Sequence, residues 1–235
     1  MTGGGIGIDV SAFRPKGRTL SKTGGVSSGP IPFLLATNEI GRNVMQGGSR
    51  RSAMYGSMNW RHEDASDFLT VKNWSDETKA AKVQDFNAHA PLDMMNVSLN
   101  YDDAWLQDQS NPVFMQNVKQ AMMTGEPGFS FNFGVHQNET LRNACCEIVS
   151  EVDSDVCNLS SVNLANIESI EELKDVVGLV AKFLVCGLIR AELPYKKIEE
   201  VRQRNSRLGL GLMGIHEWLL KRGEQYGVTD ELKQW

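Results

Sequence analysis

Three residues at alternate positions carry the side chains best suited to chemistry. They are Asn143, Cys145 and Glu147, in the run Asn143-Ala144-Cys145-Cys146-Glu147. In an extended segment all three point to one face. An amide, a sulfur and a general acid/base would then surround one small volume. A further thiol follows in Ser154-Asp155-Val156-Cys157-Asn158-Leu159, close enough in sequence for a second strand to bring it back. Two chemistries stay open at this point. Cysteines without a partner are commonly small, inert core residues; alternatively, the thiols react with help from Glu147. Zinc is not expected, because Cys145, Cys146, Cys157 and Cys186 lack the short Cys-x2–4-Cys knuckle and the paired His. A cysteine hydrolase would need a His base beside Cys145. His62, His89, His136 and His216 are available, but no hydrolase motif surrounds the cysteine.

Strands alternating with helices must hold these groups. Gly3 to Val10 alternates toward Ile6, Ile8 and Val10, which predicts a strand whose glycines admit a ligand or another backbone. Further strands are expected over 53–59, 92–99, 129–133 and 156–162. Helices are expected over 31–44, 63–72, 111–123, 170–188, 195–205 and the glycine-rich 208–220. The stretch 73–86 reads as polar surface structure. Cys186 lies inside the long apolar helix and reads as core, beside Leu173, Val176, Val177, Val180, Phe183 and Leu184 at helical spacing. The alternation predicts parallel βα units, an α/β fold.

The loops between them are rich in glycine and cations. Arg14-Pro15-Lys16-Gly17-Arg18 could hold a triphosphate or be a solvated turn. Gly24 to Pro30 is a flexible hydroxyl-rich loop leading into a helix N-terminus, but it lacks the P-loop lysine. Gln46 to Ser52 is a second Gly/Arg loop.

The chain's 235 residues allow one large domain or two small ones. A composition of 41% hydrophobic and 23% charged residues suits a globular protein. The net charge of −5 argues against a nucleic-acid coat but permits a nucleotide held by a few local cations. No run is long enough to span a membrane, and no signal-peptide pattern opens the chain. Four cysteines in that setting suggest a reducing compartment, so a cytoplasmic location is expected.

Asn143-x-Cys145-x-Glu147 followed by Cys157-Asn158-Leu159-x-Ser161-x-Asn163-Leu164 resembles the catalytic large chain of ribonucleotide reductases. Four other stretches agree with that family in order: Gly3-Gly4-Gly5-Ile6-Gly7, Thr23 to Pro30, Gln46-Gly47-Gly48-Ser49-Arg50-Arg51, and Arg207 to Gly214. The resemblance covers nearly the whole chain. It implies a ten-stranded α/β barrel made of two half-barrels, with the reactive cysteine on a loop threaded through the centre. Residues 1–235 would form a single partial catalytic domain, about the first half of the barrel plus that loop, truncated at both ends.

The resemblance also implies roles. The activity would be reduction of ribonucleoside di- or triphosphates to 2′-deoxyribonucleotides through a thiyl radical at Cys145. Glu147 would be the base, Asn143 the residue that holds the substrate hydroxyls, and Cys157 one half of the redox pair. Gly4, Gly5, Asn143, Ala144, Cys145, Cys146 and Glu147 would contact substrate; the family has a non-cysteine residue where Cys146 stands. Arg14, Lys16, Gln46, Gly47, Gly48, Arg50 and Arg51 would read a dNTP effector. The segments T-G-G-V-S-S-G-P and S-D-V-C-N-L look most like the adenosylcobalamin-dependent class, with a radical from a di-metal small subunit as the alternative. Expected partners are the ribonucleotide, the effector, a thioredoxin-like reductant and a second copy in the full-length enzyme, with no nucleic acid or membrane bound directly. A non-catalytic nucleotide-binding fragment of the same fold is the rival reading.

Overall fold

Parallel βα units carry the first part of the chain. Strand β1 (Gly5–Asp9) leads through helix α1 (Ile31–Asn43) to β2 (Ala53–Asn59). Helices α2 (Ala65–Thr70) and α3 (Asp76–Gln84) precede β3 (Met95–Tyr101). Helices α4 (Asp103–Gln107) and α5 (Pro112–Thr124) precede β4 (Gly128–Phe131). The four strands form one parallel sheet in the order β1-β2-β3-β4. A two-residue hairpin follows, β5 (Leu141–Arg142) paired antiparallel with β6 (Val149–Ser150). The computed structural model describes residues 5–44 and 51–235, and the chain divides into two compact units, Met1–Asp153 and Ser154–Trp235.

The sheet of the first unit has two unlike faces, because side chains alternate along each strand. One face is apolar. Met54 and Met58 of β2 and Met95, Val97, Leu99 and Tyr101 of β3 pack there with Leu34 of α1 and Phe68 and Leu69 of α2 in one buried core. At the far end Tyr101 meets Trp105 and Phe114 edge-on, with ring centroids 5.3 and 5.4 Å apart. The other face is polar. The register sets Gly7 beside Tyr55, Ser57 beside Ser98, and Asn100 beside Ser130. Ser57, Ser98, Asn100, Ser130 and Asn132 are all buried. A parallel sheet is usually apolar on both faces, so this polar face marks where the chain departs from simple core building.

In the second unit β7 (Cys157–Asn163) pairs in parallel with β8 (Arg207–Met213), and Cys157 lies opposite Arg207. Between them run α6 (Ile170–Arg190) and α7 (Lys196–Asn205); α8 (Ile215–Lys221) and α9 (Asp230–Gln234) follow. Ser169 caps α6 by accepting from the Glu172 amide at 3.1 Å, while the Glu172 carboxylate accepts from the Glu168 amide at 2.8 Å, a reciprocal cap.

Two expectations about this unit need correction. The stretch 208–220 is not one helix: its first half is β8 and only Ile215–Lys221 is helical. Leu208, Leu210 and Leu212 alternate with Gly209 and Gly211, a period of two, and each glycine costs a helix about 1 kcal/mol. Gly209 lies opposite Leu159 in the β7–β8 register. Gly214, at φ +74°, then turns the chain into α8. The second correction concerns α6. Its buried residues are Leu173, Leu184 and Leu188, whereas Cys186 and Phe183 are exposed. Apolar residues cover more of this helix than its single buried stripe uses.

Candidate active site

The segment Asn143 to Glu147 is a tight turn, not an extended strand, and it closes the β5–β6 hairpin. The Cys146 amide donates to the Asn143 carbonyl at 3.1 Å, and Cys146 takes the left-handed conformation with φ +70°. Alternation along a strand therefore does not explain why Asn143 and Glu147 meet. The turn does: Asn143 Nδ2 donates to Glu147 Oε1 at 2.7 Å. Asn143 Oδ1 accepts from the Ile148 amide at 3.1 Å, which fixes the side chain's orientation. Cys145 is exposed at the tip, Cys146 is half-buried, and Ala144 is buried beneath them.

The turn lies on the polar face of the sheet, and glycine makes room for it. A Cβ on Gly7 would sit 1.5 Å from the Arg142 carbonyl oxygen, and one on Gly5 would sit 2.8 Å from Ala144 Cβ. Of the two uses that the sequence allowed for these glycines, the approach of another backbone is realised. Asn96 Nδ2 donates to the Ala144 carbonyl at 3.4 Å. Arg142 reaches to the β4 side, donating from Nε to Ser130 Oγ at 2.8 Å and from Nη2 to Asn132 Oδ1 at 2.9 Å. Sequence reasoning missed Arg142, Asn96, Ser130, Asn132 and Tyr55. Their signal was the polar period-two pattern of Tyr55-x-Ser57-x-Asn59, Asn96-x-Ser98-x-Asn100 and Gly128-x-Ser130-x-Asn132.

Burial pushes the Cys146 thiol up, against the pull of the nearby Arg142 guanidinium, and the neighbouring Cys145 and Glu147 add to the rise. Tyr55 is also pushed up, first by burial, with Ser98, Cys146, Arg142 and Ser130 as its electrostatic neighbours. The turn thus offers an outward thiol with a carboxylate–amide pair beside it. The carboxylate–amide pair can exchange a proton with a bound hydroxyl, and the thiol can give a hydrogen atom to a carbon-centred radical. The histidines of the first unit are engaged elsewhere: His62 with Phe13 O, His89 with Glu39 and His136 with Glu139. Among the described residues no three His, Cys, Asp or Glu side chains gather as a metal would need.

The remaining expected site residues fall as follows. Cys157 opens β7 in the second unit and is half-buried. Arg14 and Lys16 lie on the loop after β1. Arg14 Nη1 donates to the Thr19 carbonyl at 3.2 Å, and the Lys16 amide donates to Asp64 Oδ2 at 3.0 Å. Arg18, the third cation of that loop, is paired with Glu63. Arg51 donates to Asn87 Oδ1 and lies over the Phe86 ring. Gly4, Gln46, Gly47, Gly48 and Arg50 lie outside the described residues.

A family model described as "Ribonucleotide reductase, barrel domain" matches residues 1–112 and 107–233. The chain is 25% identical over 260 residues to a Vitamin B12-dependent ribonucleoside-diphosphate reductase of Thermoplasma acidophilum, covering 99% of this chain and 33% of that protein. It is 27% identical to the similarly named protein of Mycobacterium tuberculosis, covering 98% of this chain and 36% of that one. The chain thus spans about a third of the length of these curated relatives. Among solved structures it is similar to the Actinobacillus ureae class Id ribonucleotide reductase alpha subunit. There the TM-score is 0.63 and the identity 18%, over 97% of this chain and 44% of that one, a likeness of fold.

Proposed function

Since this chain belongs to the ribonucleotide reductase barrel family, we propose that it carries the thiol turn of a reductase that converts ribonucleoside di- or triphosphates to 2′-deoxyribonucleotides. The observation that supports this most is the exposed Cys145 with the Asn143–Glu147 pair, 2.7 Å apart, beside it. Water alone does not remove a ribose 2′-hydroxyl, because the carbon–oxygen bond is not activated. A radical at C3′ makes that hydroxyl a leaving group. On this reading Cys145, as a thiyl, takes the 3′-hydrogen atom. Glu147 takes the 3′-hydroxyl proton as general base. Asn143, its carbonyl oxygen already held by the Ile148 amide, orients the ribose hydroxyls. Cys157 is one half of the dithiol that gives two electrons and ends as a disulfide.

Adenosylcobalamin is the radical source that the names of the relatives favour; when bound, it supplies the unpaired electron. Cys145 fits that demand, being an exposed thiol at the tip of a turn. We extend the proposal to a dNTP effector on the Arg14 and Lys16 loop, a thioredoxin-like reductant, a homodimer and a cytoplasmic setting. Among the described residues no helix is long and apolar enough to cross a membrane.

The test is deoxyribonucleotide formation by the complete gene product, with and without adenosylcobalamin, under a dithiol reductant. Cofactor-dependent product that Cys145→Ala abolishes, with nucleotide binding retained, is the expected result. Turnover only with an added metal-bearing subunit would replace the cofactor. Nucleotide binding without turnover under either condition would make this a binding module.

A further inference from the structure

The turn presents two adjacent thiols, and something must decide which one faces outward. Cys145 is exposed and Cys146 half-buried, and the left-handed backbone at Cys146 turns successive side chains apart. Such a conformation is disfavoured for a residue with a side chain and persists only where its surroundings impose it. Two imposed constraints lie on the N-terminal side of the turn. The Arg142 carbonyl is seated on Gly7, where a Cβ would come within 1.5 Å. The Arg142 side chain crosses the polar face to Ser130 and Asn132, both buried and themselves joined by a 3.2 Å bond from Asn132 Nδ2 to Ser130 Oγ. β5 lies against β1, while Ser130 and Asn132 belong to the β4 side, so this one side chain ties the hairpin to the opposite edge of the sheet.

We propose that Arg142 is a positioning residue that sorts the two thiols: anchored on Ser130 and Asn132, it holds the turn so that Cys146 is turned inward, the more buried of the two, and Cys145 is the one presented. A guanidinium suits this role because its planar fork reaches two acceptors at once, which a lysine ammonium does not do in the same way. The partial burial that pushes the Cys146 thiol up agrees with the arrangement. Under the reductase reading this would leave one sulfur to meet the substrate. The sorting itself does not depend on that reading.

The experiment is limited alkylation of the reduced native chain with iodoacetamide, with the labels on Cys145 and Cys146 separated by fragment-ion mass spectrometry. Cys145 should react faster than Cys146 by at least about tenfold. Arg142→Met should shrink that ratio several-fold, Ser130→Ala should shrink it less, and Arg142→Lys should restore it only in part. Far-UV circular dichroism reports whether each variant is folded; if Arg142→Met is not, Ser130→Ala and Arg142→Lys decide. A wild-type ratio near one, faster labelling of Cys146, or a ratio unchanged in the folded variants would overturn the proposal. No turnover is measured, so a failed reductase assay and a failed labelling result are separate outcomes.

Discussion

Gly7→Ala probes the seating of the thiol turn most directly. The added methyl would sit 1.5 Å from the Arg142 carbonyl oxygen and 2.7 Å from its carbonyl carbon. Both obstacles are backbone, so no rotamer change relieves them. To restore even a 3.0 Å contact the hairpin must retreat by at least 1.5 Å. Overpacking of this kind costs about 1–3 kcal/mol. At roughly 2–4 °C per kcal/mol for a chain of this size, the thermal midpoint of the first unit should fall by about 2–12 °C. A displacement above about 1 Å can cost a reaction about 100-fold, so turnover of the complete gene product should suffer more than stability does. Gly5→Ala is the internal comparison, since its nearest obstacle is a side-chain methyl at 2.8 Å and a shift of tenths of an ångström suffices. The assays are calorimetry and the Cys145 labelling rate. An unchanged midpoint together with an unchanged labelling rate in Gly7→Ala would refute the claim that the turn rests on this strand.

Three further outcomes follow from the geometry. Cys146→Gly should keep or raise the thermal midpoint, because φ +70° suits glycine, whereas Cys146→Val should lower it; a drop in the glycine variant would show that the half-buried thiol matters more than the backbone. Asp155→Ala should destabilise the second unit by about 1–3 kcal/mol, since the buried Asp155 carboxylate accepts from Asn205 at 2.8 Å and from Arg207 at 2.5 Å, and a midpoint within 1 °C of wild type by calorimetry would contradict this. Burial alone would raise the Asp93 carboxyl, but Arg42, Lys82 and Asn38 outweigh it and hold it below the usual range. Its stabilising contribution is therefore present above the unfolded-state pKa and lost as pH falls through the lower folded value. Thermal midpoints measured from neutral pH down to about pH 3 should fall more steeply in wild type than in Asp93→Asn, and parallel curves would exclude that role.

Much of the architecture was readable because it is local. Strand β2 runs Ala53–Asn59 as the alternation indicated, and α1 ends at Asn43 with Pro32 in its first turn. Period-two and period-3.6 patterns record which side of an element is buried, and they do so without knowledge of the partner. The β8 misreading shows the limit. A leucine–glycine repeat is apolar enough for a buried helix, and only the pairing with β7 makes its first half a strand. Cys186 shows the same limit, because an apolar helix with more than one apolar stripe does not say which stripe is covered.

The sequence by itself determined the candidate groups: an amide, a thiol and a carboxylate within five residues, a glycine-bearing strand upstream, and family motifs in order along nearly the whole chain. Tertiary structure decided how those groups meet. Asn143 and Glu147 touch because a left-handed residue closes a hairpin, not because a strand alternates. The hairpin is seated by Gly7, more than a hundred residues upstream, and tied by Arg142 to the far side of a sheet that no local pattern brings near it. Side-chain periodicity is set by the backbone of one segment. The closing of a turn and the approach of one backbone to another depend on what the rest of the chain places beside it.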